Sequence, residues 1–190
     1  MKKKDKPPTK MQEQTANYDF ERFEIIDGIR YDLKPSPKVD HQLILPELYT
    51  ALRSTCHQNG VILLAPMDVT LDENNIVQPD LIYITNENID IIKNNRIEGT
   101  PNLLAEVLSP STGSRDKITK RALYARFGVQ EYWVVDPVTY TLDQFVLDDD
   151  RYRLLETYGV DDRLTSPNFS CIAVDIASLF ATANRFRTED

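Results

Sequence analysis

Short apolar runs separated by turn residues follow one another along most of the chain, and their spacing predicts strands alternating with helices. Residues 23–33 contain two such runs around Asp27 and Gly28, a pair that favours a tight type I′ turn, so this segment is predicted to be a β-hairpin. Apolar residues at helical spacing predict one helix over 39–58 and another over 115–127, the second ended by Gly128.

The remaining apolar runs have the length of strands. They predict strands over 61–65, 68–71, 76–85, 103–108, 132–135 and 172–174, a hairpin over 141–147 and 152–158, and a final helix over 176–183. The polar stretch 86–101 is predicted to be irregular. Residues 1–16 are polar and lysine-rich and predict a disordered basic tail, which leaves 17–190 as a single mixed α/β domain.

The composition is that of a soluble protein with a sizeable core. The chain has 190 residues, 41% of them hydrophobic and 27% charged, and no apolar run approaches the roughly 20 residues of a membrane span. The basic N-terminus is followed by no apolar segment, so no secretory signal and a cytoplasmic location are expected. Cys56 and Cys171 lack metal-ligand spacing and are expected to be free thiols.

The net charge of −8 counts against non-specific binding of nucleic acid, because phosphate contacts need basic surface. The charge is unevenly distributed, however. Residues 1–10 carry five lysines and one aspartate, so that the other 180 residues carry a net −12. Within these, five basic residues cluster over 115–126 against Asp116 alone, and this local charge matters more than the total.

Two carboxylates, Asp80 and Glu106, lie in apolar runs that are predicted to be strands. Acidic side chains are almost never buried without a partner, and a hard cation such as Mg²⁺ is a natural partner for carboxylate oxygens. If the two strands pair, these carboxylates converge and can hold a metal ion that cleaves a phosphodiester. Spacing alone favours the alternative, in which Asp80 is a turn residue after Pro79 and Glu106 faces solvent, because aspartate after proline is common.

Asp116 and Lys120 lie four residues apart at the start of the second predicted helix. One interpretation is that they form an ion pair on the surface of the helix. The other is that Lys120 lies near a metal ion, where it stabilises developing negative charge or orients the attacking water. Lys117, Lys120 and Tyr124 share one face of that helix and are predicted to line one groove. The chain contains no glycine-rich phosphate loop and no nucleophile elbow, so no organic cofactor is expected.

With these residues in order, the chain resembles the Uma-type putative restriction endonuclease family, a branch of the PD-(D/E)XK nuclease superfamily. The resemblance covers roughly residues 23–147. It rests on Glu24-Ile25-Ile26-Asp27-Gly28, His41-Gln42, Gln78-Pro79-Asp80, Glu106-Val107-Leu108-Ser109-Pro110-Ser111-Thr112, Asp116 with Lys120, Tyr124, and Gly128-Val129-Gln130-Glu131-Tyr132-Trp133-Val134-Val135-Asp136-Pro137.

The resemblance implies a restriction-endonuclease-like core, in which a central mixed β-sheet is flanked by α-helices. It implies that Asp80, Glu106 and the carbonyl of Val107 bind Mg²⁺ or Mn²⁺. The superfamily lysine position, two residues after the glutamate, is Leu108 here. Lys120 is therefore expected to replace it, with Lys117 as second choice, and Glu24, His41, Asp116 and Tyr124 are further candidates.

The function so implied is metal-dependent endonucleolytic cleavage of DNA, and cutting both strands of a duplex favours a homodimer. The −12 charge outside the N-terminal segment motivates an alternative, a catalytically inactive nucleic-acid-binding or mobile-element accessory protein on the same fold. A ribonuclease on that fold is a third option.

Overall fold

Fourteen strands and a few helices form the protein in a computed structural model that describes residues 22–33, 38–109 and 113–186. The strands are β1 Phe23–Ile26, β2 Ile29–Asp32, β3 Gly60–Leu64, β4 Val69–Asp72, β5 Asn75–Val77, β6 Leu81–Thr85, β7 Ile92–Lys93, β8 Arg96–Glu98, β9 Leu103–Val107, β10 Glu131–Asp136, β11 Thr141–Asp148, β12 Arg151–Tyr158, β13 Arg163–Thr165 and β14 Ala173–Asp175. The helices are α1 Val39–Cys56, a 3₁₀ helix Asn86–Ile91, a π-helical segment Arg115–Lys120, α2 Arg121–Arg126 and α3 Ile176–Asn184.

Six strands form the central sheet, in the order β12-β11-β10-β9-β6-β3. Its β9–β10 pair is parallel and its other pairs are antiparallel, so the sheet is mixed, as predicted. A second six-stranded sheet, here called the N-terminal sheet, has the order β2-β1-β5-β4-β8-β7, and β13 pairs with β14. The α/β fold class is confirmed, with a second large sheet beside the central one.

The two faces of the central sheet bury different partners, because successive side chains of a strand point to opposite faces. On β9, Leu103 and Ala105 pack in the core formed with α1 and α3. Leu104 packs in the other core, beside Tyr124 of α2 and Ile26 of the N-terminal sheet. Glu106 shares the alternation of Leu104 and therefore belongs to the face covered by α2 and the N-terminal sheet.

The hairpin that carries Glu24 forms as predicted. Asp27 and Gly28 have φ values of 51° and 76°, the left-handed conformations that a type I′ turn requires at both central positions. Strand β1 then pairs with β5 at Ile25 and Ile76, which adds the hairpin to the N-terminal sheet. This placement brings Glu24, which lies near the start of the described chain, next to the centre of the molecule.

Three sequence-based assignments of elements were wrong. The run 76–85 is two strands, because the chain breaks at Gln78–Asp80 and continues from β5 in one sheet to β6 in the other. The stretch 86–101 contains a 3₁₀ helix and two short strands that pair with each other. Strand β13, absent from the prediction, pairs with β14. The predicted tail over 1–16 lies outside the described residues, and the single domain over 17–190 stays a prediction.

The expectation of free thiols was also wrong, because Cys56 and Cys171 form a disulfide across a sequence separation of 115 residues. Cys56 is the last residue of α1, and its partner lies just before β14, whose strand packs against α1. Two cysteines so far apart in sequence meet only through tertiary packing, which composition does not show. The cytoplasmic location stays a prediction.

A buried glutamate, Glu131, ties the C-terminal segment to the central sheet. Its Oε2 accepts hydrogen bonds from Trp133 Nε1 and Gln144 Nε2, both at 2.9 Å. Its Oε1 accepts from the Ser166 hydroxyl and, at 3.1 Å, from Asn168 Nδ2. This carboxylate is fully buried but well provided with donors, which is how a buried charge is normally tolerated.

None of the helices in the described part of the chain is long and apolar enough to cross a membrane.

Candidate active site

The register of two strands brings the predicted pair of acids together. Strand β6 pairs antiparallel with β9, with Leu81 opposite Ala105. Asp80 directly precedes β6, and the same register puts it across from Glu106 near the end of β9. The condition that these two strands pair is therefore met, and Asp80 and Glu106 lie at neighbouring strand ends of the central sheet.

The Asp80 carboxylate is held by two donors on one of its oxygens. Oδ2 accepts a hydrogen bond of 2.8 Å from the Val107 backbone N–H and lies 2.9 Å from Nε2 of His41. His41 projects from α1, so the helix and strand β9 together fix this side chain. The other ring nitrogen of His41, Nδ1, is buried and makes no hydrogen bond with the described residues.

Lys120 lies at the centre of a cluster of acidic side chains that includes Glu106. Its Nζ lies 2.8 Å from Glu106 Oε1, 2.6 Å from Glu24 Oε1 and 3.6 Å from Asp116 Oδ1. The lysine side chain is only 4% exposed, and all three carboxylates are buried. The i, i+4 pair of Asp116 and Lys120 is thus part of a buried cluster and not a surface pair.

A π-helical segment presents these two residues to the sheet. Arg115–Lys120 form a wide turn that continues directly into α2, and the Tyr132 hydroxyl donates to the Asp116 backbone carbonyl at 3.0 Å. π-helical turns are rare and occur frequently at functional sites. One turn further along, the Tyr124 hydroxyl donates to Glu106 Oε1 at 3.2 Å. Tyr124 therefore contacts Glu106 with its hydroxyl, while its ring is part of the core.

Burial and neighbouring acids set the ionisation of this cluster. Burial raises the pKa of Glu106 well above its usual range, Lys120 opposes that shift, and Asp116, Asp80 and Glu24 add to it. For Lys120, burial alone would lower the pKa, but Glu106, Glu24 and Asp116 outweigh it and hold the pKa well above that of a free lysine. The lysine is therefore a permanent cation, and the glutamate is difficult to ionise without additional positive charge.

The second-choice lysine, Lys117, does not join the cluster. Its Nζ lies 3.5 Å from Asp136 Oδ2, and its side chain is 49% exposed. The prediction that Lys117, Lys120 and Tyr124 line one groove was wrong for Lys117, since a π-helical turn changes the angular spacing on which it relied.

Two contacts to Glu24 were missed in the sequence. Glu24 Oε1 accepts a hydrogen bond of 3.0 Å from the Gln78 backbone N–H, and Glu24 Oε2 lies 3.5 Å from Arg115 Nη1. The concentration of basic residues over 115–126 was the available signal for Arg115. Nothing in the sequence pattern pointed to the peptide group of Gln78, because a backbone donor is set by the bend between β5 and β6.

The donor atoms of the site fit a hard divalent cation. Asp80 Oδ1 and Glu106 Oε2 make no hydrogen bonds with the described residues, whereas the other oxygen of each carboxylate is engaged. Among the described residues, no group of three or more His, Cys, Asp or Glu side chains is arranged to hold a metal ion by itself. The two carboxylate oxygens without hydrogen bonds are of the ligand type that Mg²⁺ takes, usually one or two carboxylates together with water and substrate phosphates.

The charge of the site favours the same ion. Asp80, Glu106, Glu24 and Asp116 face two permanent cations, Lys120 and Arg115, which leaves a formal charge of −2 when every carboxylate is ionised. A divalent cation neutralises that charge, and it also supplies the positive charge that ionisation of buried Glu106 requires.

Comparison with known proteins shows the family of the chain and a solved structure of similar fold. The model of the Uma2 family, whose description is "Putative restriction endonuclease", matches residues 10–176. A crystal structure at 1.96 Å resolution of a putative nuclease of the DUF820 family from Anabaena variabilis ATCC 29413 is similar in fold. It is 21% identical, with a TM-score of 0.68, and the match covers 84% of this chain and 89% of that one. No curated protein matches the chain.

Proposed function

The chain belongs to this family described as "Putative restriction endonuclease", and on that premise we propose that it is a Mg²⁺- or Mn²⁺-dependent endonuclease that hydrolyses phosphodiester bonds of DNA. The observation that carries the proposal is the convergence of Asp80 and Glu106 at neighbouring strand ends of the central sheet, with the Lys120 ammonium 2.8 Å from Glu106. Two hard ligands beside a fixed cation are the parts that metal-assisted phosphodiester cleavage needs.

Asp80 and Glu106 are the proposed metal ligands, and the carbonyl of Val107 is the third. Val107 follows Glu106 directly, and its N–H already binds Asp80, so this one peptide segment borders both carboxylates. A divalent ion bound there supplies Lewis-acid polarisation of the phosphodiester and a bound water of lowered pKa.

Lys120 acts as an electrostatic group and not as a base. Because three carboxylates keep its pKa well above that of a free lysine, its ammonium has no lone pair with which to accept a proton from water. It is suited instead to stabilising the negative charge that develops on the phosphodiester oxygens. Glu24 and Asp116 hold the ammonium in place, and their positions on β1 and on the π-helical segment make it rigid.

His41 and Tyr124 are positioning residues in this proposal. His41 fixes the rotamer of Asp80 through its 2.9 Å contact, and Tyr124 donates to the same oxygen of Glu106 that Lys120 contacts. Each contact uses one oxygen of its carboxylate and leaves the other oxygen, Asp80 Oδ1 or Glu106 Oε2, without a hydrogen bond to the described residues. Supporting contacts of this kind orient ligands and commonly change metal affinity or activity by about 10–100-fold when they are removed.

Calorimetric titration with Mn²⁺ and cleavage of supercoiled plasmid in Mg²⁺ test the proposal together. The wild type and Asp136→Asn are expected to bind the ion and cleave, whereas Asp80→Asn is expected to do neither. Asp136 is a matched control, because it also lies at the end of a central strand but pairs with the exposed Lys117. Metal binding without cleavage of DNA or RNA contradicts the enzymatic assignment and favours the non-catalytic alternative.

A homodimer remains part of the proposal, since cutting both strands of a duplex is simplest with two symmetry-related sites. Light scattering of the purified protein gives its mass directly. The mass of a dimer is expected. The mass of a monomer, at protein concentrations where both strands of the duplex are cut, contradicts the proposed homodimer.

A further inference from the structure

A polar groove lies beside the proposed active site, between the N-terminal hairpin and the π-helical segment. Its volume is about 520 Å³, within the usual range for ligand sites. The lining residues are Arg30, Tyr31, Asp32, Ser114, Arg115 and Thr119. Two arginines thus face one aspartate, and three further side chains carry hydroxyl donors. In a chain of net charge −8 this is a locally basic surface.

Arg115 is held in place before any ligand arrives. Its guanidinium lies over the ring of Tyr31, 5.2 Å from the ring centroid, and its Nη1 lies 3.5 Å from Glu24 Oε2. That Nη1 is buried and makes no hydrogen bond with the described residues. A guanidinium fixed on one side by an aromatic ring and a carboxylate loses little freedom on binding, and its fork geometry suits phosphate oxygens.

Arg30 is the more exposed cation of the groove, and its guanidinium lies over the ring of Phe23, 4.2 Å from the ring centroid. It pairs with Asp32 at 2.7 Å, but the two side chains are 46% and 75% exposed. An exposed ion pair of this kind contributes little to stability, so Arg30 can also contact an incoming anion. Asp32 is the only acid in the groove lining among the described residues, and it is already neutralised by this contact.

The groove adjoins the proposed catalytic cluster directly. Glu24 contacts Lys120 through Oε1 and Arg115 through Oε2, so one carboxylate joins the two. Thr119, which borders the groove, immediately precedes Lys120 in the chain. A nucleic-acid strand whose scissile bond lies at Asp80 and Glu106 therefore has its neighbouring backbone close to this surface.

We propose that this groove binds a backbone phosphate of the nucleic-acid strand on one side of the scissile bond, with Arg115 and Arg30 as its cations. The inference rests on the proposed function, whose site it extends. Hydroxyl groups of Ser114, Thr119 and Tyr31 supply further donors to phosphate oxygens, which position a strand without reading its sequence.

Fluorescence anisotropy with a short labelled DNA duplex in Ca²⁺ measures the contact without requiring cleavage. Arg30→Gln and Arg115→Gln are each expected to weaken binding on the order of tenfold, as for one lost charged hydrogen bond. Each should also reduce the slope of log affinity against log salt by about 0.9. Arg153→Gln is the matched control, because Arg153 also pairs with an exposed aspartate, Asp148, but lies on β12. It is expected to bind as the wild type does.

Since Arg115 also supports Glu24, its variants are checked by thermal unfolding, and Arg30→Gln provides a test outside that contact. Arg115→Lys, which keeps the charge but loses the fork, is expected to bind more weakly than the wild type. The same losses with an RNA duplex support a site for the phosphodiester backbone. An equal loss in Arg153→Gln, or unchanged binding in Arg30→Gln and Arg115→Lys, overturns the proposal.

The two proposals fail separately in these measurements. A wild type that binds duplex through Arg30 and Arg115 but never cleaves retains the phosphate groove and contradicts the nuclease. A wild type that cleaves in Mg²⁺ while both arginine variants bind normally retains the nuclease and contradicts the groove.

Discussion

The Lys120 ammonium lies 2.8 Å from Glu106 Oε1, although 14 residues separate the two in sequence and they belong to different layers of the fold. The contact places a permanent cation beside a proposed metal ligand whose pKa is raised by burial. In the proposed function, Lys120 takes the role of the lysine that the resemblance leads one to expect at position 108, where the chain has leucine. Stability and activity at this site are therefore coupled through one side chain.

Removing the cation should destabilise the protein strongly. Lys120→Met leaves Glu24, Glu106 and Asp116 buried together without the cation they share, and breaking a buried ion pair in this way costs about 3–5 kcal/mol. Lys117→Met, which removes a half-exposed pair with Asp136, should change the free energy of unfolding by less than about 1 kcal/mol. Denaturant unfolding measures both, and an equal effect of the two substitutions contradicts the buried cluster.

Neutralising Glu106 should have the opposite effect on stability. Its folded pKa lies above the unfolded value, so its contribution is fully present at pH values below the unfolded pKa and is lost as the pH rises through the folded pKa. At neutral pH, Glu106→Gln is therefore expected to raise the melting temperature in metal-free buffer while abolishing cleavage. Stability given up at an active site is commonly recovered when the functional group is removed.

Glu131→Gln is the control for that experiment, because it makes the same chemical change at a buried glutamate whose two oxygens both accept hydrogen bonds. Glu131 accepts hydrogen bonds on both oxygens, so an amide NH₂ there must face donors and leave them unsatisfied. Each such loss costs about 1–3 kcal/mol. A lower melting temperature in both variants would show that Glu106 is a structural acid like Glu131.

The disulfide should stabilise the fold and be detectable chemically. Cys56 and Cys171 are 115 residues apart, and loss of a native disulfide typically costs about 2–5 kcal/mol because it restricts the unfolded chain. Protein purified without reductant should show no free thiol after denaturation. Reduction, or the double substitution to serine, should then lower the free energy of unfolding by that amount. Two titratable thiols in the unreduced, denatured protein contradict the bond.

Alkaline pH should unfold the protein cooperatively through its buried tyrosines. Burial raises the pKa of Tyr124, Tyr132 and Tyr152 above the ordinary value, which is about 10. Their neutral hydroxyls therefore stabilise the fold fully below pH of about 10, and this contribution is lost as the pH rises through their folded pKa values. Tyrosinate absorbance and near-UV circular dichroism should change together above that pH. Independent titration of all nine tyrosines with an intact fold contradicts the prediction.

Asp80 and Glu106 could be identified from the sequence because each lies in an apolar run predicted to be a strand, where a buried charge requires a partner. The family resemblance then selected the metal-site interpretation over the turn acid and the exposed strand residue. Lys120 followed from the same resemblance and from its spacing to Asp116. The hairpin around Asp27 and Gly28 followed from local backbone preference alone, which tertiary contacts did not overrule.

Other features depend on contacts that local patterns do not encode. The division of 76–85 between two sheets arises from a bend at Gln78–Asp80, while both halves remain apolar and strand-like. The separation of Lys117 from Lys120 arises from a π-helical turn, whereas a regular helical spacing puts them on one face. The Glu24–Arg115 contact joins elements far apart in the chain, so only the folded arrangement reveals it.

Addition of divalent metal should raise the stability of the wild type. A ligand that binds only the folded state adds about 2.7 kcal/mol at 100 times its dissociation constant. Thermal unfolding in Mn²⁺ should show this increase for the wild type and for Asp136→Asn. Asp80→Asn should show none, because the ion then loses one of its two carboxylate ligands. An equal increase in Asp80→Asn places the ion elsewhere.

The most direct test of the account is the rate of plasmid nicking in Mg²⁺ by Glu106→Gln relative to the wild type, measured on samples that have equal folded fractions. The account predicts that the wild type nicks the plasmid, that a chelator stops it, and that Glu106→Gln is inactive at every metal concentration while remaining fully folded. Nicking by Glu106→Gln at the wild-type rate would contradict it, because the proposed site would then play no part in the chemistry.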